Sequence, residues 1–223
     1  RETAFGRFGI CSGVENAASA MVELKCESDP VAKNDEFIQL ANDLAATLAA
    51  SDADLTAEEL LKQPSPSKSG VTLGEQRDEL MNRIREVFNI GRMVRFEGGS
   101  GGYSHNAGTI SGAIISTTGG TDEAAKDVCM HIAAMRPAAL TIDELDSSDV
   151  EQERSILREA ALKEGKPENI VDKMVEGRMR NYYAERVLLE QPFVKEQKMT
   201  VGQFAKENGM KISRFVLWEL GRE

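Results

Sequence analysis

The chain has 223 residues with 41% hydrophobic content, enough for one or two packed domains and too apolar for disorder throughout. A formal net charge of -10 argues against nucleic acid as the main partner, because phosphate binding needs lysine and arginine to displace counterions, so a protein or small ligand fits better. No apolar run approaches the roughly 20 residues that a membrane-crossing helix needs, and no signal-peptide pattern precedes the first apolar segment, so no membrane role is expected.

Phe5 to Ser12 and Ala20 to Cys26 are rich in apolar residues and separated by Gly13-Val14-Glu15-Asn16, the pattern of a β-hairpin with a loose loop. Ser28-Asp29-Pro30-Val31 follows. Asp is a good N-cap and Pro suits the first helical position, so Asp29 and Pro30 are expected at an exposed, stiff helix start. Phe37, Leu40, Ala41, Leu44 and Leu48 then recur at helical spacing and predict one apolar helix face. Capping boxes, in which a Ser or Thr oxygen and a Glu or Gln three residues on satisfy each other's free amides, are read at Thr56 with Glu59, Thr72 with Glu75, Ser148 with Glu151 and Thr200 with Gln203. Each is expected to open a helix.

Between the first two of these helices, Gln63 to Gly70 carries Pro64, Pro66 and Gly70 and is expected to be a mobile loop. A helix from Glu75 to about Asn89 leads to Met93-Val94-Arg95-Phe96, a Gly-rich loop, and Thr109 to Thr117, read together as a second strand pair. Another helix follows from Asp122, with Val128, Ile132 and Met135 on one face. Further on, Leu157 and Ala161 line one helix and Val171, Val175, Met179 and Tyr182 the next, with Gly165-Lys166-Pro167 between them as the punctuation of an antiparallel helical hairpin. Two helices bury little surface, so their stripe is expected to meet another body. Val187 to Val194, a short helix after Thr200, and Ile212 to Leu220 read as strand, helix and strand closing a sheet. Strands that alternate with helices and hairpins give an α+β fold class.

Candidate chemistry is sparse. Glu97-Gly98-Gly99-Ser100-Gly101-Gly102 lacks the ending of a phosphate-binding loop and is followed by a strand, so a flexible hairpin connection is favoured. Cys11, Cys26 and Cys129 are odd in number and lack paired ligand spacing, which indicates neither a disulfide framework nor a zinc site and suits a reducing, cytoplasmic setting. His131, three residues from Val128 and four from Met135, reads on local grounds as a semi-buried helix residue. His105 has no ligand set beside it in sequence. No nucleophile set is present in local motifs, so no bond-making catalysis, catalytic residue, cofactor or metal is expected.

The segment Glu23-Leu24-Lys25-Cys26-Glu27-Ser28-Asp29-Pro30-Val31-Ala32-Lys33-Asn34 resembles the signature of translation elongation factor Ts, the nucleotide exchange factor for the GTPase elongation factor Tu. Tyr103-Ser104-His105, Asp127-Val128-Cys129-Met130-His131-Ile132-Ala133-Ala134, Gly165-Lys166-Pro167 through Met174-Val175-Glu176-Gly177-Arg178-Met179, Gln191-Pro192-Phe193-Val194 and Thr200-Val201-Gly202-Gln203 resemble further blocks of that family in the same order. The resemblance implies two α+β core subdomains, taken as 1–140 and 141–223, the second carrying the helical hairpin at about 148–183. It also implies that the small N-terminal ubiquitin-associated-like domain and the C-terminal helical module of the family are not in this chain, which opens at Arg1 as if a preceding piece had been removed.

In the family, a Thr-Asp-Phe-Val loop wedges into elongation factor Tu and disturbs its magnesium site. Ser28, Asp29, Pro30 and Val31 inherit that part, with Pro30 where the family carries phenylalanine. His131 matches the family histidine that presses beside the GTPase phosphate-binding loop. The partner implied is elongation factor Tu, GDP-bound and nucleotide-free, with promoted GDP release as the function. A binding or scaffold protein that docks on a GTPase without exchanging its nucleotide stays open as the alternative.

Overall fold

A computed structural model describes residues 1–222. In chain order the elements are β1 (Phe5–Cys11), β2 (Ala18–Cys26), α1 (Asp29–Ala32), α2 (Asp35–Ala50), α3 (Ala57–Leu61), α4 (Leu73–Ile84), β3 (Asn89–Glu97), β4 (Ser100–His105), β5 (Ser111–Gly119) and α5 (Asp122–Met135). They continue with α6 (Ser147–Lys163), α7 (Glu168–Arg186), β6 (Pro192–Phe193), β7 (Glu196–Thr200), α8 (Val201–Glu207) and β8 (Met210–Glu219). The chain is α+β, with antiparallel strand pairing throughout its sheets. It forms two compact units: Arg1–Ala133 joined by the segment from Asn208 onward, and Ala134–Glu207.

In the first unit β2 is the central strand of the sheet β1-β2-β3. Ala20, Val22, Leu24 and Cys26 of β2 pack with Phe37, Leu40, Leu44 and Leu48 of α2 and with Leu60, Leu73, Leu80 and Phe88. Met21, on the other face of the same strand, packs with Phe8, Phe96 and Ile114 toward the second sheet, β4-β5-β8. A strand buried on both faces needs apolar residues at successive positions, which is why this segment reads as a continuous run. Gly9 lets α2 approach β1: a Cβ there would stand 1.9 Å from the Ala41 carbonyl oxygen.

The reciprocal boxes at Thr56 with Glu59 and Thr72 with Glu75 open α3 and α4 as expected. The segment from Gln63 to Gly70 is tied down rather than loose. Ser65 is buried and donates its hydroxyl to Gln76 at 2.7 Å, the Gln76 amide donates to buried Asp43 at 2.9 Å, and the Ser67 hydroxyl also donates to Asp43. A buried carboxylate must be matched by donors, and this segment supplies one of them.

Helix α4 stops at Ile84, short of Asn89, because Arg85 turns left-handed with φ 68°. The two segments read as a second strand pair, β3 and β5, lie in different sheets: β3 pairs with β2, and β5 with β8 and with β4, a strand that begins inside the segment read as a Gly-rich loop. The Gly-rich segment is thus a crossover between sheets, not a hairpin connection. Gly101 within it is needed for packing, since a Cβ would meet that of Ala125 on α5 at 2.5 Å. Strand β8 pairs with β5 along nearly its whole length.

In the second unit α6 and α7 form the expected antiparallel hairpin, turning at Gly165 with φ 75° and Pro167, which occupies the N-cap of α7. Its apolar stripe closes on itself: Ala161, Val171, Val175 and Met179 are buried together, with Leu157, Met174, Tyr182 and Tyr183 around them. Cross-helix ion pairs join Arg154 to Glu176, Arg158 to Asp172, and Arg178 to Glu164 at 3.0 Å. The cap of α6 is Asp146, whose carboxylate accepts the Ser148 amide at 2.8 Å, so the box read at Ser148 is displaced by a residue two positions earlier. Val187 to Val194 is a 3-10 turn over Leu188–Glu190 followed by the two-residue β6, not one strand. At Thr200 the expected box is present, with Thr200 and Gln203 each donating its amide to the other's side chain, at 2.8 and 3.2 Å.

Candidate functional site

The turn between β2 and α2 is built by groups remote in sequence. Glu86, just past α4, accepts the Glu27 and Ser28 amides on one oxygen at 3.0 and 3.2 Å and the Ser28 hydroxyl on the other at 2.5 Å. Glu27 returns the contact by accepting the Val87 amide at 2.8 Å and Arg1 at 3.2 Å. The Val87 amide, and then Arg1, hold the Glu27 carboxyl below the usual glutamate range. Arg7 on β1 donates to the Ala32 carbonyl at 2.8 Å, and Asn34 caps α2 by accepting the Glu36 and Phe37 amides. Burial pushes the Cys26 thiol up to about 11, so it stays protonated and donates to the Ser28 carbonyl at 3.3 Å.

These ties sort the four turn residues by direction. Ser28 is drawn inward onto Glu86, and Val31 packs against the core beneath α2. Asp29 and Pro30 face solvent. The N-cap of α1 is Ser28 rather than Asp29, and the Ser28 side chain makes no capping bond because its hydroxyl is committed to Glu86. Asp29 sits instead in the first turn, where its carboxylate pairs with Lys33 one turn on at 2.6 Å. Both partners are more than half exposed, at 51% and 61%, so the pair is screened by water and costs little to open. The turn therefore presents an accessible carboxylate and a ring of fixed backbone angle on a braced base.

His131 lies on a different element, α5, and is fully buried, while the elements packed on α1 are β1, β2 and α2. The semi-buried helix position expected on local grounds is thus an enclosed one. His105 meets Tyr103 across 2.9 Å, ring nitrogen to hydroxyl. Cys11 and Cys26 stand at opposite ends of the β1-β2 register, where their pairing partners are Ala20 and Phe5, and all three cysteines are free thiols. No group of three acidic, histidine or cysteine side chains suited to a metal occurs among the described residues, and no helix there is long and apolar enough to cross a membrane. Glu86 and Arg7 hold this turn and are parts of it that sequence reading misses: Glu86 is 58 residues from Ser28, and no local pattern marks it.

The family model for elongation factor Ts matches residues 27–222, a span that opens one residue before Ser28. Elongation factor Ts of Methylococcus capsulatus is 39% identical over 99% of this chain and 75% of its own length. That of Herminiimonas arsenicoxydans is 40% identical over 99% and 73%, and that of Aquifex aeolicus 38% identical over 99% and 80%. The four-residue turn and the hairpin fall inside the family match, and the relatives also cover the strands β1 and β2 that precede it. The chain belongs to the elongation factor Ts family.

Proposed function

We propose that this translation elongation factor binds elongation factor Tu in its GDP-bound and nucleotide-free forms and drives GDP out by pressing Asp29 and Pro30 into the GTPase. The observation that carries the reading is the presentation of those two residues on a turn whose other two, Ser28 and Val31, are fastened from below. Magnesium in a GTPase bridges phosphate oxygens and offsets their charge, so displacing its surroundings weakens the hold on the diphosphate and raises its off-rate. A carboxylate brought near that site acts by charge and reach alone, with no bond made or broken in this chain. In this reading His131 acts on the phosphate-loop side. The chain works in the cytoplasm on a protein partner, without nucleic acid or membrane.

Family membership favours exchange over docking without exchange. The test is stopped-flow release of fluorescent GDP from elongation factor Tu at saturating protein. A rate well above the intrinsic one supports the reading, and binding with an unchanged rate contradicts it.

A further inference from the structure

We infer that Glu86 is a positioning residue for nucleotide exchange, acting through the turn it holds; this rests on the exchange reading above. A helix of four residues cannot order itself, because nucleation fixes several backbone angles for a single hydrogen bond. The usual local remedy, a capping side chain, is missing here: Ser28 occupies the N-cap but turns its hydroxyl to Glu86. The direction of Asp29 is therefore set from outside the turn.

The clasp is reciprocal. Glu86 takes the amides of Glu27 and Ser28, and Glu27 takes the amide of Val87, so two segments far apart in sequence each satisfy the other's backbone. Its geometry depends on Arg85, a non-glycine residue at φ 68° that donates its amide to Met81 at 2.7 Å while its carbonyl accepts Arg1 at 3.3 Å. A left-handed non-glycine backbone persists only where its surroundings hold it. Glu86 touches no solvent-facing atom of Asp29 or Pro30 by any of these bonds. It fixes where they point.

Both backbone amides bind one carboxylate oxygen and the Ser28 hydroxyl binds the other. Glutamine reproduces this arrangement: its carbonyl oxygen accepts the amides, and its NH2 donates to the hydroxyl, which is also an acceptor. Alanine removes all three bonds. The experiment measures fluorescent-GDP release from elongation factor Tu across a concentration series for wild type, Glu86→Ala, Glu86→Gln and Ser28→Ala. Removing hydrogen bonds to a charged group lowers the saturating rate about tenfold in Glu86→Ala. Glu86→Gln returns it to within about twofold of wild type, and Ser28→Ala, which deletes one bond of the set, falls between.

A saturating rate in Glu86→Ala equal to that of wild type overturns the positioning role, as does a Glu86→Gln variant no better than Glu86→Ala. If Glu86→Ala fails to fold, the comparison of Ser28→Ala with wild type decides, an equal rate being the overturning result. A wild-type chain that binds without accelerating release overturns the exchange reading and the positioning role together. Loss of rate confined to the variants leaves exchange standing and confirms the brace.

Discussion

The turn over residues 28–31 and the helical hairpin are held by opposite means. The turn has almost no core of its own: one short helix is fastened by Glu86 and Arg7, and Val31 and Ala32 reach into the apolar layer below. The hairpin is fastened from within, by a closed stripe around Val171, Val175 and Met179 and by cross-helix ion pairs. The difference teaches what each can do. Polar fastening leaves the outward side of the turn free to carry a charge and a rigid ring, and it fixes their direction through a few named bonds. Hydrophobic fastening closes the hairpin around its own stripe and leaves Ile156, Leu162 and Ile170 exposed on its outside.

Phe37→Ala should have the largest effect and strike one side of that contrast only. Phe37 is fully buried at the base of α2 and meets Phe88 edge to face at 5.0 Å. Its loss should cost about 3 to 5 kcal/mol in urea unfolding of the first unit. Backbone signals of Ala161 and Met179, measured by NMR in the folded variant, should stay where they are. Movement of those signals would break the claim that the hairpin is held from within.

A smaller effect, of opposite sign, is expected from Lys33→Ala. The Asp29–Lys33 pair must open before the carboxylate reaches a partner, and an exposed pair of this kind is worth at most about 1 kcal/mol. GDP release at subsaturating protein should therefore rise, by up to about fivefold. A fall instead would show that Lys33 takes part in the docked state. Smallest is Arg158→Ala, which deletes one exposed rung of the hairpin. It should lower the melting free energy by less than about 1 kcal/mol and leave the saturating release rate unchanged.

Local signals were legible where one segment carries the whole cause. The apolar period of α2, the boxes at Thr56, Thr72 and Thr200, and the Gly165-Pro167 break each depend on residues within a turn or two of one another. At α6 the box at Ser148 lost to Asp146, since a carboxylate at the cap already accepts the Ser148 amide. Sheet membership of β3 and β5 was not legible, because neither strand states its partner and a Gly-rich link suits a crossover as well as a hairpin, and β4 itself was hidden in that link.

The site divides in the same way. Asp29 and Pro30 stand out as an exposed helix start in the sequence, but the cap belongs to Ser28. The hydroxyl that would have capped is spent on a carboxylate 58 residues away, which no spacing rule reveals. The full enclosure of His131 likewise depends on packing around α5 that its helical period alone does not determine.

Asp29→Asn tests the central claim most directly, because it removes charge while keeping shape, and the side chain it alters caps nothing and bonds only to exposed Lys33. Melting temperature and saturating GDP-release rate are measured on the same preparation. The account predicts an unmoved melting temperature with a release rate lower by about tenfold, equivalent to about 1.4 kcal/mol of lost action on the partner. A release rate equal to that of wild type would contradict it and show that the charge of Asp29 is not what opens the GDP site.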